Sequence, residues 1–372
     1  MQARSSLRSG ILVAALSALS FGVSAPAVAR LGVGVGAFTT AALLYAGALC
    51  CSWTLSGFDT HAPIALVRRF GARVLLIAGL GAALGPAAFA WGLQRSGATS
   101  GSLLLNFEAV FTAILAWRLF KEPFGARFVA ALALMATGGV VLAINGTRQA
   151  ELHPLGLLAI AFATLCWALD NTLTRSLSEE PPFAVVTVKS ALGVGLAFAL
   201  ARGLGETPPR TALSCALLLL VGAIGYGLSL RLYLEAQTRI GAARTASVFA
   251  VAPFVGALVA WLFGDRALGW GGALSVPFFA LGAYLHLTEQ HQHPHRHEEL
   301  EHEHAHRHDD GHHLHTHVPP VVGEHTHAHR HEAMAHSHDH APDLHHQHEH
   351  HPELGQVHEH EHEHEHEHVH KH

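Results

Sequence analysis

Residues 95–125, RSGATSGSLLLNFEAVFTAILAWRLFKEPFG, are written again in outline at residues 239–269, RIGAARTASVFAVAPFVGALVAWLFGDRALG. Arg95, Gly97, Ala98, Ala113, Ala116, Trp117 and Gly125 recur 144 residues later as Arg239, Gly241, Ala242, Ala257, Ala260, Trp261 and Gly269. Self-similarity at a fixed interval marks a duplicated architecture. The duplicated material is apolar, rich in Ala, Leu, Val and Gly, and lacks the alternation of a barrel strand, so it reads as helix.

Working outward from this pair, ten apolar segments approach the roughly 20 residues a helix needs to cross a hydrocarbon core. They lie near 10–30, 34–56, 72–92, 99–119, 125–145, 155–174, 183–202, 212–235, 243–263 and 269–288. Arg4 and Arg8 before an apolar stretch, with Ala27-Val28-Ala29 after it, imitate a signal peptide. Removing that segment would leave four spans against five, so it is read as the first span. The expected fold is all-α integral membrane: ten transmembrane helices as two five-helix repeats, 1–146 and 147–288, and a disordered tail, 289–372. An odd number of spans per copy makes the second copy enter from the opposite side, an inverted repeat whose site lies near the midplane between the halves.

Charge divides along the same boundary. Residues 1–288 carry a balance of +9, whereas residues 289–372 carry −14 and 32 of the 35 histidines. With the N-terminus inside, Arg4, Arg8, Arg68, Arg69, Arg73, Arg118, Lys121, Arg127, Arg175, Arg239 and Arg244 fall on the cytoplasmic side, against Arg30, Arg95, Arg148, Arg202, Arg210 and Arg266 outside. That excess places both termini in the cytoplasm of a bacterial-type inner membrane. Cys50, Cys51, Cys166 and Cys215 all lie in apolar spans and form neither a disulfide framework nor a CxxC metal pair.

The stretch from Gly97 through Asn106-Phe107-Glu108-Ala109-Val110-Phe111 to Ala116-Trp117 and Lys121-Glu122 resembles the fourth span and following loop of EamA-type members of the drug/metabolite transporter superfamily. Its counterpart runs from Gly241-Ala242 through Ala252-Pro253-Phe254 to Ala260-Trp261 and Gly264-Asp265. The resemblance implies export of amino acids, metabolites or drugs. Each copy departs from the family pattern: Glu-Pro reads Glu108-Ala109 in one and Ala252-Pro253 in the other, so a shared carboxylate role does not carry over.

Ionisable residues at membrane depth are costly and mark candidate transport paths. Glu108, near Asn106 and Thr112, is the leading candidate for a substrate ammonium, a proton or a cation; a neutral acid bonded to a neighbouring helix, or a coupling element, are the other readings. Asp170 and Asn171 follow Trp167, and Lys189 begins the seventh span. Asp170 and Lys189 either pair inside the bundle or, as the favoured reading has it, snorkel to the surface. Arg231 and Glu235, four apart, are expected to neutralise one another. Trp91, Trp167, Tyr226 and Tyr233 are candidates to wall an aromatic cavity.

The tail alternates His with Glu. Neutral imidazoles ligate Zn, Ni, Co and Cu, and His302, His304, His306, His308, His358, His360, His362, His364, His366 and His368 are the expected ligands. No cofactor is required by the core. The favoured reading is an exporter of small organic solutes working by alternating access, in a lipid bilayer, with a metal-binding tail that senses or buffers. One alternative is efflux of Ni, Co or Zn with Glu108, Asp170 and Glu235 as oxygen ligands; another is a membrane-tethered metal buffer. The body has no phosphate loop, nucleophile elbow or His-carboxylate metal motif, so an enzyme is not expected, and the acidic tail argues against nucleic acid. Oligomeric state is not encoded legibly.

Overall fold

The computed structural model describes residues 2–120, 125–148, 153–174, 177, 180–240, 242–266 and 269–287, with the tail segments 295–297, 300–306, 325–331 and 334–336. The first half comprises α1 (Gln2–Leu31), α2 (Ala37–Leu55), α3 (His61–Ala78), a π-helical turn (Gly79–Leu84), α4 (Gly85–Ser96), α5 (Ala98–Leu104), α6 (Phe107–Phe120) and α7 (Ala126–Arg148). The second half repeats it: α8 (Pro154–Thr174), α9 (Pro182–Gly203), α10 (Ala212–Gly222), a π-helical turn (Ala223–Leu228), α11 (Ser229–Ile240), α12 (Ala242–Phe249), α13 (Ala252–Leu262), α14 (Gly269–Ala273) and α15 (Ser275–Leu287).

The two π-helical turns are 144 residues apart, at the interval of the sequence repeat. Pro86 explains the first, because it lacks an N–H and its ring opposes the carbonyl of Ala82 inside the turn. The second lies on Gly222, Gly225 and Gly227. Both halves also break the following span, at Leu105–Asn106 and at Ala250–Val251. Pro253 stands four residues after Phe249, the last residue of α12, which is where a proline ring forbids continuation. The first half has Ala109 there instead. Its break is held by Asn106 Nδ2, which donates to Leu103 O at 2.8 Å.

Equivalent helices run antiparallel. In the α2–α9 pair, Ser52 near the end of α2 meets Thr187 near the start of α9 at 2.9 Å, while Ala41 and Ala42 cluster with Ala197. In the α7–α15 pair, Gly138 faces Phe278 and Phe279 while Gly282 faces Met135 and Ala131. The contacts obey the same two-fold: α4 packs on α8 as α11 packs on α1, and α6 on α8 as α13 on α1. The repeat is therefore inverted. Loop acids of the second half also cap helices of the first: Glu206 accepts from Phe38 N and Thr39 N at 3.1 and 2.8 Å, and Asp265 accepts from Thr99 N at 2.9 Å.

Two expectations need correction. Nine helices, not ten, are long and apolar enough to span a bilayer among the described residues. The segment expected at 269–288 is divided into α14 and α15, because Pro277 opposes the carbonyl of Ala273, the last residue of α14. The third span begins earlier, at His61, and bends at Phe70 (φ −124°, ψ 18°). The described residues of the tail form two antiparallel strand pairs, β1 (His295–His297) with β4 (Met334–His336) and β2 (Leu300–His306) with β3 (His325–His331); the rest of the tail expected to be disordered lies outside the described residues. Alternation of residue types has the period of a strand, which accounts for the pairing.

Glycines set the closest helix crossing. A Cβ on Gly47 would lie 1.9 Å from Leu219 O, and one on Gly222 would lie 1.9 Å from Leu44 O, so α2 and α10 touch backbone to backbone. Gly47→Ala or Gly222→Ala should cost about 1–3 kcal/mol and lower the unfolding midpoint of the detergent-solubilised protein. Gly195→Ala, where nothing lies within 4 Å, should leave it unchanged or slightly raised.

Candidate functional site

The C-terminal half of α8 presents Trp167, Asp170 and Asn171 at i, i+3 and i+4, hence on one face. That face meets α4, α6 and the first π-helical turn. The π-helical turn alters local carbonyl pairing, and Gly81 O accepts from Tyr45 Oη at 2.7 Å and from Trp167 Nε1 at 3.1 Å. The Asp170 carboxylate lies directly over the same glycine, where a Cβ would stand 2.1 Å from Oδ2. Only glycine fits.

Asp170 pairs with Lys189 of α9, and the two side chains are 2% and 13% exposed. Thr174 Oγ1 adds a long contact to Asp170 Oδ1 at 3.4 Å. Beside them, Asn171 Nδ2 donates to Glu108 Oε1 at 2.7 Å, joining the halves through α8 and α6. Glu108 occupies the first turn of α6, where the broken span exposes a helix N-terminus favourable to a carboxylate. Its second-half equivalent, Ala252, carries no charge.

Aromatic rings line the same junction. Tyr45 and Tyr226 are 5.6 Å apart, Phe21 lies 6.0 Å from Tyr226 and 5.6 Å from Phe249, and Tyr233 lies 5.0 Å from Phe249. Phe89 packs edge-on against Trp167 at 5.3 Å. Tyr226 belongs to the second π-helical turn and is buried.

Two matches to the EamA-like transporter family model, over residues 8–144 and 154–288, correspond to the two inverted halves just described. The chain belongs to the EamA-like transporter family. Its matched residues hold helices long and apolar enough to cross a membrane several times. A protein of Methanothermobacter thermautotrophicus described as an uncharacterized transporter is 29% identical over 195 residues, 51% of this chain and 56% of that relative. The chain thus spans just over half of the relative's length. A solved crystal structure shares the fold with a TM-score of 0.53 at 17% identity, over 75% of this chain and 97% of the other.

In this EamA-like chain, Glu108, Trp167, Asp170, Asn171 and Lys189 converge, with Tyr226 close by. Asp170 and Lys189 pair inside the bundle rather than snorkelling, because adjacent helices bring them together and Gly81 leaves room for the carboxylate. Asn106 is buried but turned back onto the end of α5, so the partner of Glu108 is Asn171. Glu235 pairs with Arg239 rather than Arg231, which donates to Leu55 O at 3.2 Å. The reason is orientation: an acid N-terminal to a base at i, i+4 is the better arrangement on a helix. Trp91 lies under the Arg95 guanidinium, 3.7 Å from its ring centroid, outside the cluster. Glu108, Asp170 and Glu235 do not converge, and the described side chains, all in the helical body, include no metal-holding group of three or more His, Cys, Asp or Glu.

Of the expected tail ligands, His302, His304 and His306 fall on β2, whereas His308 and His358, His360, His362, His364, His366 and His368 lie outside the described residues. Sequence reading missed Tyr45 and Gly81. The repeat carried the signal, since Tyr45 stands 144 residues before Lys189. A cavity of 380 Å³ opens elsewhere, bordered by Arg30, Gln94, Arg95 and Asp265, and contains none of the cluster.

Removing one member of a buried ion pair strands the other. Asp170→Asn or Lys189→Met alone should each destabilise the protein by about 3–5 kcal/mol. The double variant should recover much of that loss, measured as unfolding midpoints across the double-mutant cycle.

Proposed function

We propose that the chain exports small organic solutes bearing an ammonium group by alternating access, with Glu108 as the polar contact or proton carrier. The observation carrying this reading is the Glu108–Asn171 hydrogen bond between the two halves, set beside the Asp170–Lys189 pair. Two carboxylates face one ammonium there, so a cationic group or a proton balances the surplus charge. Aromatic faces at the junction suit a desolvated cation. In alternating access the halves part around this cluster to admit a solute.

Direct efflux of Ni, Co or Zn ions is less well supported, because Glu235 pairs with Arg239 instead of joining Glu108 and Asp170, and the described residues hold no metal-holding group of three or more. A buffer that transports nothing is less well supported still, given the family. The membrane is proposed to be a bacterial-type inner membrane with both termini cytoplasmic, and the tail to take up divalent transition metals. Small-molecule substrate and lipid are the partners.

Comparing solutes released by cells with and without the protein identifies what is exported. Glu108→Gln, made at equal abundance, should abolish that release. Full release with unchanged pH dependence would overturn the role of Glu108. A phosphatase fused after Thr288 should be inactive and a fluorescent protein at the same junction bright; the reverse pattern would invert the proposed topology.

A further inference from the structure

The register of the tail ladder does more than pair two low-complexity strands. His302 stands opposite His329, His304 opposite His327 and His306 opposite His325. The intervening positions pair Glu301 with Arg330, Glu303 with Ala328 and Ala305 with Thr326. Because strand residues alternate between faces, this register gathers the six histidines at positions of one face and leaves the other without any. Slipping by a single residue would set His302 against Ala328 and His304 against Thr326, dividing the histidines between faces.

We propose that this ladder is a divalent transition-metal site, in which two adjacent cross-strand histidine rungs, rather than the tail's histidines at large, hold the ion. Opposed residues in an antiparallel pair have Cβ atoms about 5 Å apart, and residues two along a strand are about 7 Å apart. Four histidine positions at these spacings match the ligand type and number that Zn and Co favour. Polar strands specify register weakly, so the ion also selects the histidine-matched register over its neighbours. The inference rests on the reading of the tail as metal-binding and is independent of the transport reading.

The test uses the full chain in detergent, titrated with zinc sulfate by calorimetry and with cobalt(II) by visible absorption. One variant combines His302→Ala, His304→Ala, His327→Ala and His329→Ala; a matched variant combines His360→Ala, His362→Ala, His364→Ala and His366→Ala. The ladder variant should lose the tightest equivalent and the intense tetrahedral cobalt band, and the matched variant should keep both. His304→Ala and His327→Ala, which share a rung, should be non-additive, whereas His304→Ala and His362→Ala should add. Equal losses in the two fourfold variants would overturn the ladder while leaving a metal-binding tail. Absence of any tight equivalent in the full chain would overturn both.

Discussion

Hydrocarbon offers no water to a backbone carbonyl, so a helix crossing it can break only where protein groups answer the freed donors and acceptors. This constraint organises the molecule. The π-helical turns and broken spans occur at matching places in the two halves, and the polar side chains of the candidate site gather around those of the first half. Tyr45 and Trp167 answer Gly81, and Asn106 answers Leu103. The irregular backbone and the polar cluster are thus two aspects of one arrangement.

Helices in lipid gain little from hiding apolar surface against one another, and depend instead on close approach and complementary shape. The glycine crossing of α2 with α10 is one expression of this. Another is the reciprocal pairing of α1 with α11, where Ser17 Oγ donates to Ser229 O at 2.7 Å and Ser229 Oγ donates to Ser17 O at 2.9 Å. Asp170 has its place because Gly81 offers no side chain. A charge buried this deeply is retained through its partner and the space made for it, and both come from neighbouring helices.

Much of the fold was legible in the chain because hydrophobic length and the repeat interval are properties of single segments. What was less legible depends on choices between equivalent local options or on tertiary contact. Glu235 has an arginine four residues to either side, and helix orientation selects Arg239. Asp170 and Lys189 are far from any helical spacing, and the approach of α8 to α9 decides their pairing. The division of the last apolar segment at Leu274 was written in Pro277, four residues beyond Ala273. The strand pairs in the tail follow from the alternation of histidine with other residues, which has the period of a strand.

The duplication is geometrically faithful and chemically unequal. In a symmetric inverted repeat, exchanging the conformations of the halves would convert one access state into the other at no net cost. Here Tyr45 occupies the position of Lys189, and Glu108 that of Ala252, so the exchange moves charged and neutral groups through different surroundings. The two access states of such a molecule differ in intrinsic energy. In the alternating-access mechanism proposed above, divergence at a few paired positions sets the resting orientation before any solute or gradient acts on it.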